Sequence, residues 1–214
     1  MIALCKSSLL ASVDTTSAVT SWFLVNLALN PSVQEKLFTE LQTKSSSNGG
    51  CLTENISERS YFPYLLHSCA RESLPITPIS PFSVVKKNTH SDIVFHGITF
   101  PLGTTFALDN IVRDVRYFPD ADQFKPERWL ADAVEARRGT SCEIMDHPFF
   151  RDSFGQGARR CPGSRVASVE VLWMVSQLVL DYKIEAKEKS ISKIQNVSRP
   201  LIQPLNVELE FIPR

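Results

Sequence analysis

Apolar residues dominate two long stretches of the chain, and both predict buried helices. From about Ala3 to Leu29 the apolar positions form a surface too broad for a helix that faces solvent. The run from Val166 to Leu180 is apolar on nearly every helical face, which is typical of a helix packed on all sides. We expect these two helices, the second from about Ser164 to Asp181, to form the centre of the fold.

Shorter patterns predict the smaller elements. Asn30 is expected to cap a second helix that Pro31 opens, and a third helix is predicted from Pro63 to Leu74. The polar stretches from Thr43 to Gly50 and from Ala131 to Asp146 are predicted to be loops, the second of them mobile. β-Branched and aromatic runs between turn residues predict short strands, at Val84-Val85, Ile93-Phe95, Ile98-Phe100, Thr104-Phe106, Tyr182-Glu185 and Asn206-Phe211.

These elements make the chain mainly α with a small β-sheet, an α+β fold, in a single domain covering residues 1–214. The length of 214 residues suits one domain. The charge is balanced, with 23 Lys and Arg against 23 Asp and Glu, and gives no support for a nucleic-acid partner. The five cysteines are irregularly spaced, which argues against a disulfide scaffold or a zinc site. No uninterrupted apolar run is long enough to span a bilayer.

The strongest chemical signal is a glycine-rich stretch, Phe154-Gly155-Gln156-Gly157-Ala158-Arg159-Arg160-Cys161-Pro162-Gly163. Gly155 and Gly157 allow positive φ and a close approach of the backbone to a flat ligand. Such a loop can direct backbone N–H groups at the Cys161 sulfur, and a cysteine thiolate is a strong axial ligand for heme iron. Arg159 is placed to contact an anionic group such as a heme propionate.

The pattern Phe154-x-x-Gly157-x-Arg159-x-Cys161-x-Gly163 resembles the heme-binding signature of the cytochrome P-450 family, the heme-thiolate monooxygenases, at every fixed position. The alternative is a glycine-rich turn before a helix with an incidental cysteine. The resemblance implies that Cys161 is the axial ligand of iron-protoporphyrin IX (heme). The same loop would bind the cofactor through further residues, namely Arg159, Phe154, Gly155, Gly157 and Gly163.

A second motif lies in the first helix, at Ala11-Ser12-Val13-Asp14-Thr15-Thr16. It resembles the family's distal helix motif, with Ser12 at a position where the family usually has glycine. By that resemblance Thr15 and Asp14 would be the catalytic pair that activates oxygen, Thr15 as hydrogen-bond donor and Asp14 in proton delivery. The alternative is a helical threonine bonded to its own backbone carbonyl, with Asp14 on a solvated edge.

A third motif is altered in this chain. Glu72 matches the glutamate of the family's Glu-x-x-Arg motif, but Pro75 stands at the arginine. Arg128, in a segment Phe124-Lys125-Pro126-Glu127-Arg128-Trp129 that also resembles the family, is the later arginine of the same ion network. Removing one partner from such a network costs several kcal/mol, about 3–5, so we expect a damaged site. Arg128 is left as a possible partner for Glu72, whereas Arg71 is expected to point to another face.

The three motifs follow the family's order but cover only the C-terminal part of the cytochrome P-450 fold. We therefore expect an incomplete domain, a fragment. Its reaction would insert one oxygen atom of O2 into a small lipophilic organic substrate. Electrons would come from a redox partner, either a ferredoxin or an NADPH-dependent flavoprotein reductase.

Two further expectations follow from the resemblance. A basic face would dock the redox partner, although scattered surface charges are the alternative; its members would be Lys125, Arg137, Arg138, Arg151 and Arg160. Family members associate with membranes at the endoplasmic reticulum or mitochondrion. The anchor or targeting segment is expected to be absent from this chain, so its compartment stays unknown.

Three other interpretations stay open. Pro75 and Ser12, with the missing part of the family pattern, favour a catalytically inactive remnant, truncated or degenerate. A heme-thiolate isomerase or dehydratase would act on peroxides without a redox partner. Such an enzyme needs no acid–threonine pair, so Asp14 and Thr15 argue against it. A helical interaction module would need no heme at all.

Overall fold

The computed structural model describes residues 2–47, 63–77, 79, 84–108, 114–148, 153–188, 194–198 and 201–214. Within these ranges the α-helices are α1 (Ile2–Leu29), α2 (Pro31–Ser47), α3 (Tyr64–Ile76), α4 (Ala131–Ala136) and α5 (Ser164–Asp181). Short 3-10 helices span Pro126–Trp129, Ser141–Asp146 and Gly157–Arg159. The two long helices predicted from their apolar stretches are thus confirmed.

The core lies between α1 and α5, which pack against each other and against α2 and α3. Burial along α1 is uneven, because the residues from Ala11 to Asp14 are exposed whereas those from Trp22 to Ala28 are buried. On α5 the buried positions include Val171, Val175 and Val179. The largest fully buried apolar side chains come from several helices and one strand: Phe23, Leu27, Leu37, Leu41, Leu66 and Ile184.

Two local predictions were wrong. Residues 43–47 continue α2 instead of starting a loop, while 48–50 lie outside the described residues. Ala131 to Asp146 is not an irregular loop, since it forms α4 and a 3-10 helix. Asn30 does stand at the N-cap position of α2, because its carbonyl accepts from the N–H groups of Val33 at 3.0 Å and Gln34 at 3.1 Å. Its side chain instead donates from Nδ2 to the Asn26 carbonyl at 2.7 Å, in α1.

The strands form antiparallel pairs. β1 (Val84–Lys87) pairs with β4 (Thr105–Leu108), and β2 (Ile93–Phe95) pairs with β3 (Ile98–Phe100) across a two-residue turn. That turn needs positive φ at both positions, and His96 and Gly97 supply 49° and 76°. The small mixed sheet that was expected is therefore replaced, in the described part of the chain, by separate two-stranded antiparallel sheets.

The remaining strands connect the C-terminal region to the core. β5 (Tyr182–Ala186) continues directly from α5 and pairs with β8 (Leu209–Pro213), which confirms that the two predicted C-terminal strands pair with each other. They do not form a hairpin, because two further strands lie between them in the chain. β6 (Gln195–Ser198) pairs with β7 (Ile202–Leu205). The indole Nε1 of Trp22 donates to the Ile202 carbonyl at 3.0 Å, which attaches β7 to α1.

Gln34 joins three elements by hydrogen bonds in the core. Its side-chain amide is 1% exposed. Its Oε1 accepts from the Ile184 N–H at 2.8 Å, and its Nε2 donates to the carbonyls of Ile184 at 2.9 Å and Leu27 at 3.2 Å. One buried side chain therefore holds β5 against the end of α1.

Replacing Gln34 by alanine should lower the free energy of unfolding by about 2–4 kcal/mol, because buried backbone groups would lose their partner. Urea unfolding monitored by circular dichroism measures the loss. The control is Thr39→Ala, at an exposed position of the same helix where the hydroxyl donates to the Glu35 carbonyl one turn earlier; a change within about 0.5 kcal/mol is expected there. Equal effects of the two substitutions would contradict the role given to Gln34.

Candidate functional site

The loop before α5 is bent by two glycines. Gly155 has φ 79° and Gly157 φ 75°, values that side chains other than glycine rarely adopt. The loop is closed by the Cys161 N–H, which donates to the Phe154 carbonyl at 2.9 Å. The Cys161 carbonyl accepts from the Ser164 N–H at 3.4 Å, at the start of α5. The predicted loop residues thus form one turn whose backbone fixes Cys161 at the head of a buried helix.

The Cys161 thiol is free and exposed. A Cβ added at Gly155 or Gly157 would have no neighbour within 4 Å, so one side of the loop is open. A Cβ added at Gly163 would lie 3.9 Å from the Cys161 sulfur, in ordinary contact. An accessible thiol on an open, glycine-lined bend fits the single soft donor that a heme-thiolate site needs. The side chain of Arg159 lies outside the described residues.

The described residues offer no competing metal site. No group of three or more His, Cys, Asp and Glu side chains is positioned to hold an ion in those ranges. Cys69 is buried in the core, and burial raises the pKa of its thiol. Cys142 is half-buried beside the small cluster around Trp129. Of these three thiols, Cys161 alone is exposed.

Thr15 and Asp14 lie on α1, in the part of the helix that leaves the core. The Thr15 hydroxyl donates to the Ala11 carbonyl at 2.6 Å, and the Ser12 hydroxyl donates to the Leu9 carbonyl at 3.0 Å. Asp14 is exposed. This is the geometry of the alternative interpretation, in which a helical threonine bonds its own backbone, and any donation from Thr15 to a ligand requires its hydroxyl to turn away from Ala11.

Exposed apolar side chains accompany both motifs. Leu9 and Val13 on α1 are 66% and 59% exposed, and Val166 in the first turn of α5 is 61% exposed. Since α1 packs against α5 through later residues, the helix ends that carry the two motifs are left with uncovered apolar surface. The cysteine-loop residues lie together in one turn. Within the described residues, the connection between this loop and the helix segment of Thr15 and Asp14 is the packing of α1 against α5.

Glu72 is the centre of a buried polar network. Its side chain is 0% exposed, and its Oε1 accepts from the Arg128 Nε at 2.9 Å and from the Lys125 N–H at 2.9 Å. Its Oε2 accepts from the indole Nε1 of Trp129 at 2.7 Å. Burial raises the pKa of Glu72, against the lowering influence of Arg128 and the hydrogen bonds from Lys125 and Trp129. Arg128 does pair with Glu72, as the sequence allowed, and both carboxylate oxygens have donors.

Arg128 is itself held by the loop that precedes it. Its Nη1 donates to the Pro119 carbonyl at 2.6 Å, and its Nη2 donates to the Asp120 carbonyl at 3.0 Å. Its guanidinium lies over the Phe118 ring, with Cζ 4.4 Å from the centroid. An arginine fixed on several sides loses little further freedom in binding Glu72. Pro75, in the last turn of α3, was expected to damage this network. Glu72 is nevertheless paired with Arg128.

The guanidinium groups of two further arginines lie over the ring of Trp129. Cζ of Arg71 is 4.3 Å from the ring centroid, and Cζ of Arg137 is 5.4 Å from it. Arg137 also donates from Nε and Nη2 to the two carboxylate oxygens of Asp146, each at 2.6 Å. Arg71, which was expected to point to another face than Glu72, contacts the same tryptophan that binds Glu72. The sequence patterns did not indicate Trp129 or Arg137 as members of this network.

The predicted basic face is largely neutralised within the chain. Lys125 pairs with Asp120 at 2.6 Å, Arg138 with Glu135 at 3.0 Å, and Arg137 with Asp146. Arg160 is exposed, and Arg151 lies outside the described residues. Three of the five cations therefore have internal carboxylate partners, as expected for ordinary surface charges.

Comparison with known proteins gives a match along nearly the whole chain. The model of the family described as Cytochrome P450 matches residues 1–211. The chain is 32% identical to "Probable cytochrome P450 49a1" of Drosophila melanogaster over 202 residues, 94% of this chain and 33% of the relative. It is 33% identical to "Sterol 26-hydroxylase, mitochondrial" of Mus musculus, over 96% of this chain and 37% of the relative.

A third relative is "1,25-dihydroxyvitamin D(3) 24-hydroxylase, mitochondrial" of Mus musculus, 30% identical over 96% of this chain and 37% of the relative. The chain thus spans about a third of the length of the curated relatives it matches, between 33% and 37%. Within the described ranges, no helix combines the length and the apolar character needed to cross a bilayer.

Replacing Glu72 by alanine should lower the free energy of unfolding by about 3–5 kcal/mol at pH 7, because Arg128 would lose its buried counter-charge. Urea unfolding measures the change. Glu127→Ala is the matched control, since its pair with Lys36 is exposed, at 45% and 62%; the expected loss there is below about 1 kcal/mol. A loss at Glu72 as small as that at Glu127 would show that the network does not stabilise the fold.

The raised pKa of Glu72 also predicts a pH dependence. Between the usual glutamate value and the raised value, the folded state binds more protons at this position than the unfolded state. Stability contributed by Glu72 is therefore greatest at low pH and falls as pH rises through the raised pKa. The difference in unfolding free energy between wild type and Glu72→Ala should be larger at pH 4.5 than at pH 8. A difference that grows with pH would show a lowered pKa instead.

Proposed function

Because the chain belongs to the cytochrome P450 family, we propose that it is the C-terminal part of a heme-thiolate monooxygenase and that the Cys161 thiolate would hold the heme iron. The observation that carries this proposal is the exposed thiol of Cys161 on an open loop bent by Gly155 and Gly157. Once bound, heme supplies the oxygen chemistry, and a thiolate ligand favours cleavage of the O–O bond.

The roles of the protein residues follow from their positions. The Cys161 sulfur would hold the cofactor from one side, while Phe154, Gly155, Gly157 and Gly163 shape the bend around it. The positive φ values allow the backbone there to come close to a flat ring. We propose that Arg159 contacts a propionate, as in the family pattern.

Thr15 and Asp14 are proposed as the catalytic pair. The Thr15 hydroxyl donates to the Ala11 carbonyl, so its role as a hydrogen-bond donor in the reaction would require this hydroxyl to turn away from Ala11. Asp14 is exposed and adjacent in sequence, which suits a carboxylate that receives protons from solvent and passes them on. The exposed apolar side chains of Leu9, Val13 and Val166 would help to exclude water from the region beside Thr15 and Asp14 once other groups cover them.

The substrate, partner and compartment are proposed from the relatives. Two of them are named as mitochondrial hydroxylases of a sterol and of dihydroxyvitamin D3. We propose that this protein likewise hydroxylates a lipophilic organic molecule, with O2 and a redox partner, and that it works at a mitochondrial membrane. A ferredoxin is favoured as electron donor over a flavoprotein reductase.

Cofactor binding by the chain tests the proposal. The purified protein, reconstituted with hemin, should show the long-wavelength Soret band of a thiolate-ligated ferrous carbonyl complex after reduction under carbon monoxide. Cys161→Ser should abolish this band, because no thiolate would remain at the bend. Cys142→Ser is the matched control, with the band unchanged. Thr15→Ala should also keep it, because Thr15 is proposed as a donor rather than a ligand.

The outcomes separate the proposal from its rivals. Loss of the band in Cys161→Ser alone supports a heme-thiolate site. No heme binding by the wild-type chain would favour a remnant or an interaction module. An intact band together with conversion of a lipid hydroperoxide in the absence of NADPH would favour the isomerase or dehydratase interpretation.

A further inference from the structure

The position one helical turn after Glu72 bears on how its carboxylate is satisfied. Residues three apart on a helix share a face, so positions 72 and 75 lie on one face of α3. Proline has no side-chain group that could donate a hydrogen bond to the carboxylate, as an arginine could. In this chain the second carboxylate oxygen, Oε2, accepts from another element, since the Trp129 indole N–H donates to it at 2.7 Å.

Trp129 is buried, and contacts other than its bond to Glu72 also hold it in place. Its ring is 4% exposed and packs with Phe118 at 6.1 Å between centroids. Its own carbonyl accepts from the Tyr64 hydroxyl at 3.2 Å, so the first turn of α3 also holds this segment. The first residue of α3, Tyr64, and Glu72 further along it both contact the 3-10 helix Pro126–Trp129, and both contacts involve Trp129.

From Trp129 a chain of contacts leads to the candidate cysteine loop. Arg137 lies over the Trp129 ring and donates to the carbonyl of Arg128. The same arginine binds Asp146 through two parallel hydrogen bonds, at the end of the 3-10 helix Ser141–Asp146. Two residues later, the Pro148 carbonyl accepts from the Gln156 Nε2 at 3.0 Å, and Gln156 lies between Gly155 and Gly157.

We propose that Trp129 is a positioning residue for the Cys161 loop, and that its indole takes the place at Glu72 Oε2 that an arginine at position 75 would occupy. Trp129 fixes the 3-10 helix against Glu72, and Arg137 and Asp146 extend that fixed point to the segment on which the loop rests. The functional importance of positioning the loop rests on the proposed role of Cys161. The proposal that the Trp129 indole replaces an arginine at position 75 as donor to Glu72 does not depend on heme.

A double-mutant cycle tests the replacement. Trp129→Phe keeps a ring but removes the N–H, and it should lower the Tm by about 4–8 °C. Pro75→Arg should restore more Tm in Trp129→Phe than it adds to wild type, because only there is Oε2 without its donor. Trp22→Phe is the matched control, since Trp22 is also buried (3% exposed) and donates its indole N–H to a carbonyl at 3.0 Å. There Pro75→Arg should add only what it adds to wild type.

The loop is probed by the alkylation rate of Cys161 in the folded, heme-free chain, measured by peptide mass spectrometry with iodoacetamide. Trp129→Phe should change this rate at least about threefold and Trp22→Phe should not, because the reactivity of a thiol follows its surroundings. Addition of Pro75→Arg to Trp129→Phe should return the rate towards wild type.

Three results would overturn the inference. Equal Tm gains from Pro75→Arg in all backgrounds would show only relief of a proline in a helix. An unchanged Cys161 rate in Trp129→Phe would remove the positioning role. If Trp129→Phe does not fold, the double variant with Pro75→Arg must fold, and its failure alongside a folded Trp22→Phe would also contradict the replacement. Failure of heme binding with an intact cycle would reject the proposed function but not this inference.

Discussion

The fold depends on a carboxylate removed from water. Glu72 is fully buried, and an ionised group in that position is tolerated only when its oxygens are matched by donors and a counter-charge. Here the donors are a guanidinium, a backbone amide and an indole, all supplied by Lys125, Arg128 and Trp129. A single side chain of α3 therefore dictates where an irregular segment more than 50 residues away in sequence must lie.

The helical core and the candidate site meet different demands. The later part of α1 and α5 pack together through buried apolar side chains. Gln34 adds buried hydrogen bonds to this core. The motif-bearing parts of the same helices leave Val13 and Val166 in solvent. Val13 adjoins Asp14 and Thr15, and Val166 lies in the first turn of α5 after the cysteine loop, so uncovered apolar surface lies beside both motifs.

The long elements could be predicted because their apolar patterns are strong and continuous. The bounds of α5 agree with the prediction, and α1 differs by one residue at its start. Ala131 to Asp146 was misjudged because its order comes from Arg137 and its ion pair with Asp146, a contact between residues that no local periodicity marks. The candidate loop could be located from its glycines and cysteine, but the use of Trp129 as a donor could not, because a buried aromatic residue looks the same in sequence whether or not its N–H has a partner.

The hydroxyl groups of α1 have a mechanical consequence. Ser12, Thr15, Ser17 and Thr20 each donate to a carbonyl three or four residues earlier, and such back-bonding weakens and bends a helix locally. These four bonds lie where α1 passes from its exposed part into the core. A force on the exposed turns of α1 would therefore bend the helix in this segment. The packed half of α1 could then keep its position while the half with the threonine motif moves.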